Sequence, residues 1–75
     1  MSRELASMLR DKRRELKLSL HELSKVSGVT EAIIVAAEEG EYSSLSLADL
    51  RKLAYALRIE AYELGASILN DTELE

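Results

Sequence analysis

The sequence predicts an all-α fold of five short helices around one leucine-rich core. Apolar side chains recur every three or four residues along most of the 75-residue chain, and N-capping signals divide that pattern into segments of helical length. No segment alternates apolar and polar residues as a half-buried strand does. A chain this short supports one core. We therefore predict one domain over residues 1–69, followed by an acidic tail over residues 70–75 that we expect to fray.

The first two helices follow from apolar spacing and from a capping box. Residues 3–16 place Leu5 and Leu9 at helical spacing and leave a basic outer face. Ser19 and Glu22 stand three residues apart, so each side chain can bond the backbone amide of the other. This arrangement predicts the start of the second helix.

A short turn connects the second helix to a third. Gly28 can adopt a positive φ and Thr30 can act as a new N-cap, so the chain can turn within a few residues. The third helix is predicted over residues 31–39. Gly40 would end it in the left-handed conformation.

The last two helices complete the predicted core. After a polar loop over residues 41–45, Ser46 caps a fourth helix whose apolar side chains share one side; these are Leu47, Leu50, Leu53, Ala54 and Leu57. A fifth helix is predicted over residues 60–69. Tyr55 and Tyr62 are expected at the edge of the core on these two helices.

Composition excludes several classes of function. The chain is 47% hydrophobic and 32% charged, and it has no apolar run of the roughly 20 residues that span a membrane. It has no cysteine and begins with charged residues rather than with an apolar leader, so we expect a cytoplasmic protein. No nucleophile, base and orienting group form a set, and His21 lacks further ligands. We predict no enzyme activity, no cofactor and no metal site.

Charge is distributed unevenly along the chain. Residues 1–26 carry seven basic and four acidic side chains, whereas residues 27–75 carry three basic and ten acidic ones. Proteins bind duplex DNA largely by neutralising its phosphates. The acidic segment must therefore be held away from a DNA backbone, or DNA is not the main partner.

The chain resembles the Cro and phage-repressor helix-turn-helix family, often called XRE, over about residues 5 to 65. The matching stretches are residues 8–19, 22–24, 27–30, 34, 38–40 and 50–57. The resemblance implies a five-helix, Cro/lambda-repressor-like fold in which the second and third helices form the helix-turn-helix. It also implies structural roles for five residues: Arg13 pairs with Glu38, Gly28 forms the turn, Thr30 caps the third helix, and Ile34 anchors that helix to the core.

The third helix departs from the family pattern where DNA would be read. Family members usually place amide or basic side chains on the outer face of this helix, since these groups address base edges and phosphates. If Ile34 faces the core, a rotation of 100° per residue turns Ala32, Ala36 and Glu39 outward, with Ile33 and Val35 at the two sides. None of these side chains can donate a hydrogen bond.

This face therefore favours a protein partner, plausibly a transcription regulator, and an antirepressor or antiactivator role. The predicted contact residues are Glu31, Ala32, Ile33, Val35, Ala36, Glu39 and Tyr42. In the alternative that the helix is rotated, Ile33 and Val35 are half-buried. Two other functions stay open: a DNA-binding XRE-type repressor that acts as a dimer, and a module that self-associates through the same helix.

Overall fold

The structure, a computed structural model, describes residues 4–60 and residue 63. Four helices follow one another along the chain: α1 (Glu4–Glu15), α2 (Leu20–Ser27), α3 (Glu31–Glu38) and α4 (Leu47–Ala56). No strand occurs within this part of the chain. The all-α prediction is thus confirmed for four helices. Most of the predicted fifth helix, including Tyr62, and the whole tail over residues 70–75 lie outside the described residues.

Local capping signals set the starts of α2 and α4. The backbone amide of Glu22 donates to Ser19 Oγ at 3.0 Å, and the amide of Ser19 donates to the Glu22 carboxylate at 2.8 Å. This is the predicted capping box. At α4, Ser46 Oγ accepts from the Asp49 amide at 3.0 Å. Thr30 has the extended backbone of an N-cap, but its side chain makes no capping hydrogen bond, so the predicted role of Thr30 is met in position only.

The helix ends adopt left-handed backbone conformations. Gly28 and Gly40 have φ values of 81° and 86°, as their positions predict. Lys17 and Arg58 have φ values of 58° and 60° where α1 and α4 end, and no sequence signal predicts this. A side chain in this conformation costs roughly 1–2 kcal/mol, whereas glycine adopts it freely. Lys17 and Arg58 therefore occupy positions at which glycine would be unstrained.

The core lies between the four helices. Its largest fully buried side chains are Leu9, Leu23, Ile34, Leu53 and Leu57. Helix α3 packs against both α1 and α2, and α2 also packs against α4. Each helix therefore buries one apolar face, and α3 is held between two neighbours with its remaining face outward.

Two apolar residues of α4 lie outside the core, contrary to prediction. Tyr55 is 90% exposed and Leu47 is 63% exposed. The buried side of α4 is set by Leu50 and Leu53, and Tyr55 lies on nearly the opposite side of the helix at 100° per residue. Leu47 occupies the first turn, at the flank of that side.

Candidate functional site

The outward surface of α3 follows the predicted helical phase. Ile34, Ala37 and Glu38 are buried, whereas Ala32 and Glu39 are exposed. The exposed side of the helix therefore carries small apolar groups and carboxylates.

Fewer apolar residues contribute to the middle of this surface than the sequence predicts. Val35 and Ala36 are half-buried. Ile33 is also half-buried and packs against the hydrophobic core, so it contributes little to the outer surface. Ile33 and Val35 are thus both half-buried, as the alternative states, although α3 keeps the helical phase set by Ile34; α1 and α2 both pack against α3.

Tyr42 is tied to the fold rather than free at the rim. Its side chain packs against the core, and its hydroxyl oxygen accepts a hydrogen bond from the backbone amide of Ala6 at 3.1 Å. That amide lies in the first turn of α1, where backbone donors have no partner within the helix. Tyr42 therefore caps α1 from the loop that follows α3.

Glu31 contacts α2 across the turn. Its carboxylate lies 3.0 Å from His21 Nδ1, and both side chains are largely in solvent. Sequence reasoning did not predict this contact, because helical spacing does not relate residues ten apart across a turn. The pair holds an acidic group beside the first turn of α3.

Arg13 and Glu38 form the ion pair that the sequence predicts. Arg13 Nε donates to Glu38 Oε2 at 2.7 Å, Nη2 donates to Oε1 at 3.0 Å, and Nη1 donates to the Leu18 carbonyl at 3.0 Å. The hydrogen bond to Glu38 raises the pKa of the Arg13 guanidinium above its ordinary value; partial burial opposes the shift, and the charge of Glu38 adds to it. The pair fastens α1 to the end of α3.

Two further cations of α1 are also engaged within the molecule. Arg10 donates to the Glu38 carbonyl at 2.7 Å, and its Nε lies 3.9 Å from the Glu38 carboxylate. Lys12 Nζ lies 3.8 Å from Glu63 Oε1. Sequence reasoning treated both as part of a solvated basic face. The one available signal was that Arg10 precedes Arg13 by three residues and so shares its side of α1.

The arrangement of α2, the glycine turn and α3 is that of a helix-turn-helix. A family model described as Helix-turn-helix matches residues 9–64, which is most of the chain. The chain belongs to this helix-turn-helix family. Comparisons with curated proteins and with solved structures found no match. Membership agrees with the resemblance to the Cro and XRE type, including the turn at Gly28 and the pair between Arg13 and Glu38.

Helix α3 corresponds to the recognition helix of a helix-turn-helix protein, and the charged side chains along it are acidic. Glu31 stands at its first position, Glu39 just after its last, and Glu41 follows in the loop; all three are exposed. Helix α3 carries no basic residue. A surface of this kind repels phosphates and offers no side-chain donor to base edges.

Neither a membrane span nor a metal site is visible in the part of the chain that the structure describes. None of its helices has the length and apolar character to cross a bilayer. Residues 4–60 and 63 also contain no cluster of three or more side chains suited to hold a metal ion.

Proposed function

We propose that this helix-turn-helix protein regulates transcription by binding another protein, in the manner of an antirepressor or antiactivator. The contact surface is the α3 face, which we define as Glu31, Ala32, Val35, Ala36 and Glu39. One observation carries the proposal: the helix that should read bases has an outer side with no hydrogen-bond donor and with a carboxylate at each end.

The α3 face suits a protein contact for two reasons. Ala32 and Ala36 lie one turn apart and allow a partner helix to approach closely, while Val35 adds apolar area beside them. Glu31 and Glu39 flank this area, and acidic groups at a rim accelerate and orient the approach of a basic partner. A DNA-binding regulator is a partner of that chemistry.

DNA binding is the second candidate, and family membership favours it. Arg14, Lys17 and Lys25 are exposed and make no ion pair within the described residues, so they could contact phosphates. The carboxylate of Glu31 could accept from a cytosine amine. In this case the protein would be an XRE-type repressor, and we would expect a dimer on a two-fold site.

A DNA titration separates the two functions. Fluorescence anisotropy with random and selected duplexes should show no sequence-dependent complex at physiological salt. A protein that binds several phosphates loses roughly 10³–10⁵ in affinity between 50 mM and 200 mM salt. A nanomolar, sequence-dependent complex with such a salt dependence would establish the repressor function and refute our proposal.

A charge variant makes the test sharper. In the double variant Glu31→Gln/Glu39→Gln, amide donors replace the two carboxylates of the α3 face, so DNA affinity should rise at least tenfold because repulsion is removed and donors are gained. Asp11→Asn/Glu15→Gln is the matched control, since it removes two exposed carboxylates from α1. An equal gain in both variants would show that net charge alone excludes DNA.

A further inference from the structure

A second apolar surface lies away from α3, at the ends of the other three helices. It is an open groove of about 610 Å³, which we call the α4 groove; its lining residues are Leu16, Leu18, Val26, Tyr55, Ala56 and Arg58. Val26 is 63% exposed and Tyr55 is 90% exposed. Large apolar side chains this exposed and this close together are typical of a contact surface.

One cation lines this groove, and two others adjoin its lining residues in sequence. Arg58 lines it, Lys17 lies between two lining leucines, and Lys25 precedes Val26. All three residues are exposed, and none of their side chains makes an ion pair or hydrogen bond within the described residues. No acidic residue lines the groove. The lining of the α4 groove is therefore mainly apolar, and Arg58 gives it a positive charge.

Two of these cations occupy strained positions. Lys17 and Arg58 are the residues other than glycine with positive φ in the described chain; Arg58 lines the α4 groove, and Lys17 stands between two of its lining residues in sequence. Glycine at these two positions would relieve the strain. A longer side chain retained at a strained position suggests that this side chain has a function. Here the side chains supply positive charge beside exposed apolar groups.

We propose that the α4 groove binds the α3 face of a second copy of this chain. The two surfaces are complementary: the α3 face is apolar in the middle and acidic at both ends, and the groove is apolar and carries the positive charge of Arg58, with Lys17 and Lys25 next to its lining residues in sequence. Ala32, Val35, Ala36 and Glu39 follow the spacing with which a helix fills a groove. The inference rests on the proposed role of α3 in binding protein.

The contact joins two different surfaces, so it is head-to-tail. Each bound copy keeps one free groove and one free α3 face, and growth continues unless a ring closes. The α3 face that is buried in a neighbour is closed to any other partner. Self-association would therefore compete with partner binding.

Sedimentation velocity of the full chain tests this contact. The protein should associate in a concentration-dependent way at low salt, and the association should weaken at least tenfold when salt rises from 50 to 500 mM, because charge complementarity contributes to it. Ala36→Arg, which alters the α3 face, and Val26→Glu, which alters the groove, should each weaken association at least tenfold. Circular dichroism should show that both variants keep the fold.

Mixing the two variants gives the decisive result. Ala36→Arg retains an intact groove and Val26→Glu retains an intact α3 face, so an equal mixture should form dimers and nothing larger. Arg58→Gly should weaken association of the native chain without loss of fold, whereas Arg51→Ala, which removes a cation that does not line the groove, should have little effect.

Three results would overturn the inference. A native chain that stays monomeric up to millimolar concentration has no such contact. Loss of association in Ala36→Arg alone would indicate a symmetric contact between α3 faces, which leaves the proposed function intact. Loss in Val26→Glu alone would indicate contact between grooves, and the DNA titration would then decide the role of α3 independently.

Discussion

The residue with the most unusual surroundings is Glu38. Its side chain is 7% exposed, and it faces Arg13, which is 14% exposed, and the more distant Arg10. Charges removed from water are stabilised only where partners satisfy them, and loss of one partner leaves the other uncompensated. The contact between α3 and α1 is therefore stable only while a guanidinium group faces the Glu38 carboxylate.

We predict that Arg13→Met lowers the free energy of unfolding by about 3 kcal/mol, the lower end of the range for breaking a buried pair, because Arg10 still faces the stranded carboxylate. The double variant Arg13→Met/Glu38→Leu should recover much of this loss, since no charge is then left buried. Urea denaturation measures both. Arg10→Met is the control and should cost less, because its side chain is 39% exposed. Strictly additive losses in the double variant would contradict the prediction.

The sequence predicted some of these residue contacts and missed others for a physical reason. The pair between Arg13 and Glu38 follows from the family resemblance. The bonds from Arg10 to the Glu38 carbonyl and from Ala6 to Tyr42 join residues far apart in sequence. Periodicity shows which side of a helix is apolar, but it does not show which polar side chain reaches which distant backbone group.

At the scale of the helices, starts were more predictable than ends. The caps at Ser19 and Ser46 act over three residues, so local sequence contains the whole interaction. Two residues beyond the ends of α1 and α4, Lys17 and Arg58 adopt the conformation that glycine normally supplies. In both cases the backbone amides of this residue and of the one after it donate to carbonyls of the last helical turn. The ends are therefore set by backbone bonds and core packing at the cost of local strain.

We predict that Arg58→Gly raises the free energy of unfolding by about 0.5–1 kcal/mol. Glycine removes the left-handed strain, although part of the gain is offset by the greater freedom of the unfolded chain. The thermal midpoint should rise by roughly 4–8 °C per kcal/mol for a domain of this size. Arg58→Ala is the control, because it removes the charge but keeps the strained side chain. A lower midpoint for the glycine variant would show that the arginine side chain stabilises the fold.

For the whole molecule, the fold reduces the charge asymmetry of the sequence. Several cations of α1 turn to internal partners, so the basic surface is smaller than the sequence indicates. Among the exposed charged residues, Arg58 lines the α4 groove, whereas Glu31 and Glu39 belong to the α3 face. The sequence predicted the acidic α3 helix but not the groove, since Tyr55 was expected at the edge of the core. The groove forms where the ends of three helices meet, and its lining residues are too far apart in sequence to produce a local sequence pattern.

The last turn of α3 is fixed by stronger contacts than its first turn, and this difference affects how readily each end opens. Its last turn is tied to α1 through Glu38, whereas Thr30 provides no side-chain cap at the start and the contact of Glu31 with His21 is exposed. A segment with fewer buried contacts opens locally at a lower free-energy cost. The amide of Ile34, which bonds Thr30 at 3.1 Å, should therefore exchange its hydrogen faster than the more exposed Glu41, whose amide bonds the last turn of α3 at 2.8 Å.

Hydrogen exchange followed by nuclear magnetic resonance measures this order directly, and slower exchange at the buried Ile34 would contradict it. The consequence concerns recognition. The half of α3 that carries Glu31 and Ala32 opens more readily than the half fastened by Glu38, so a bound protein would slow exchange most at the beginning of the helix. On binding, the contact surface would then become ordered progressively, from the end of α3 at Glu38 toward its beginning at Glu31.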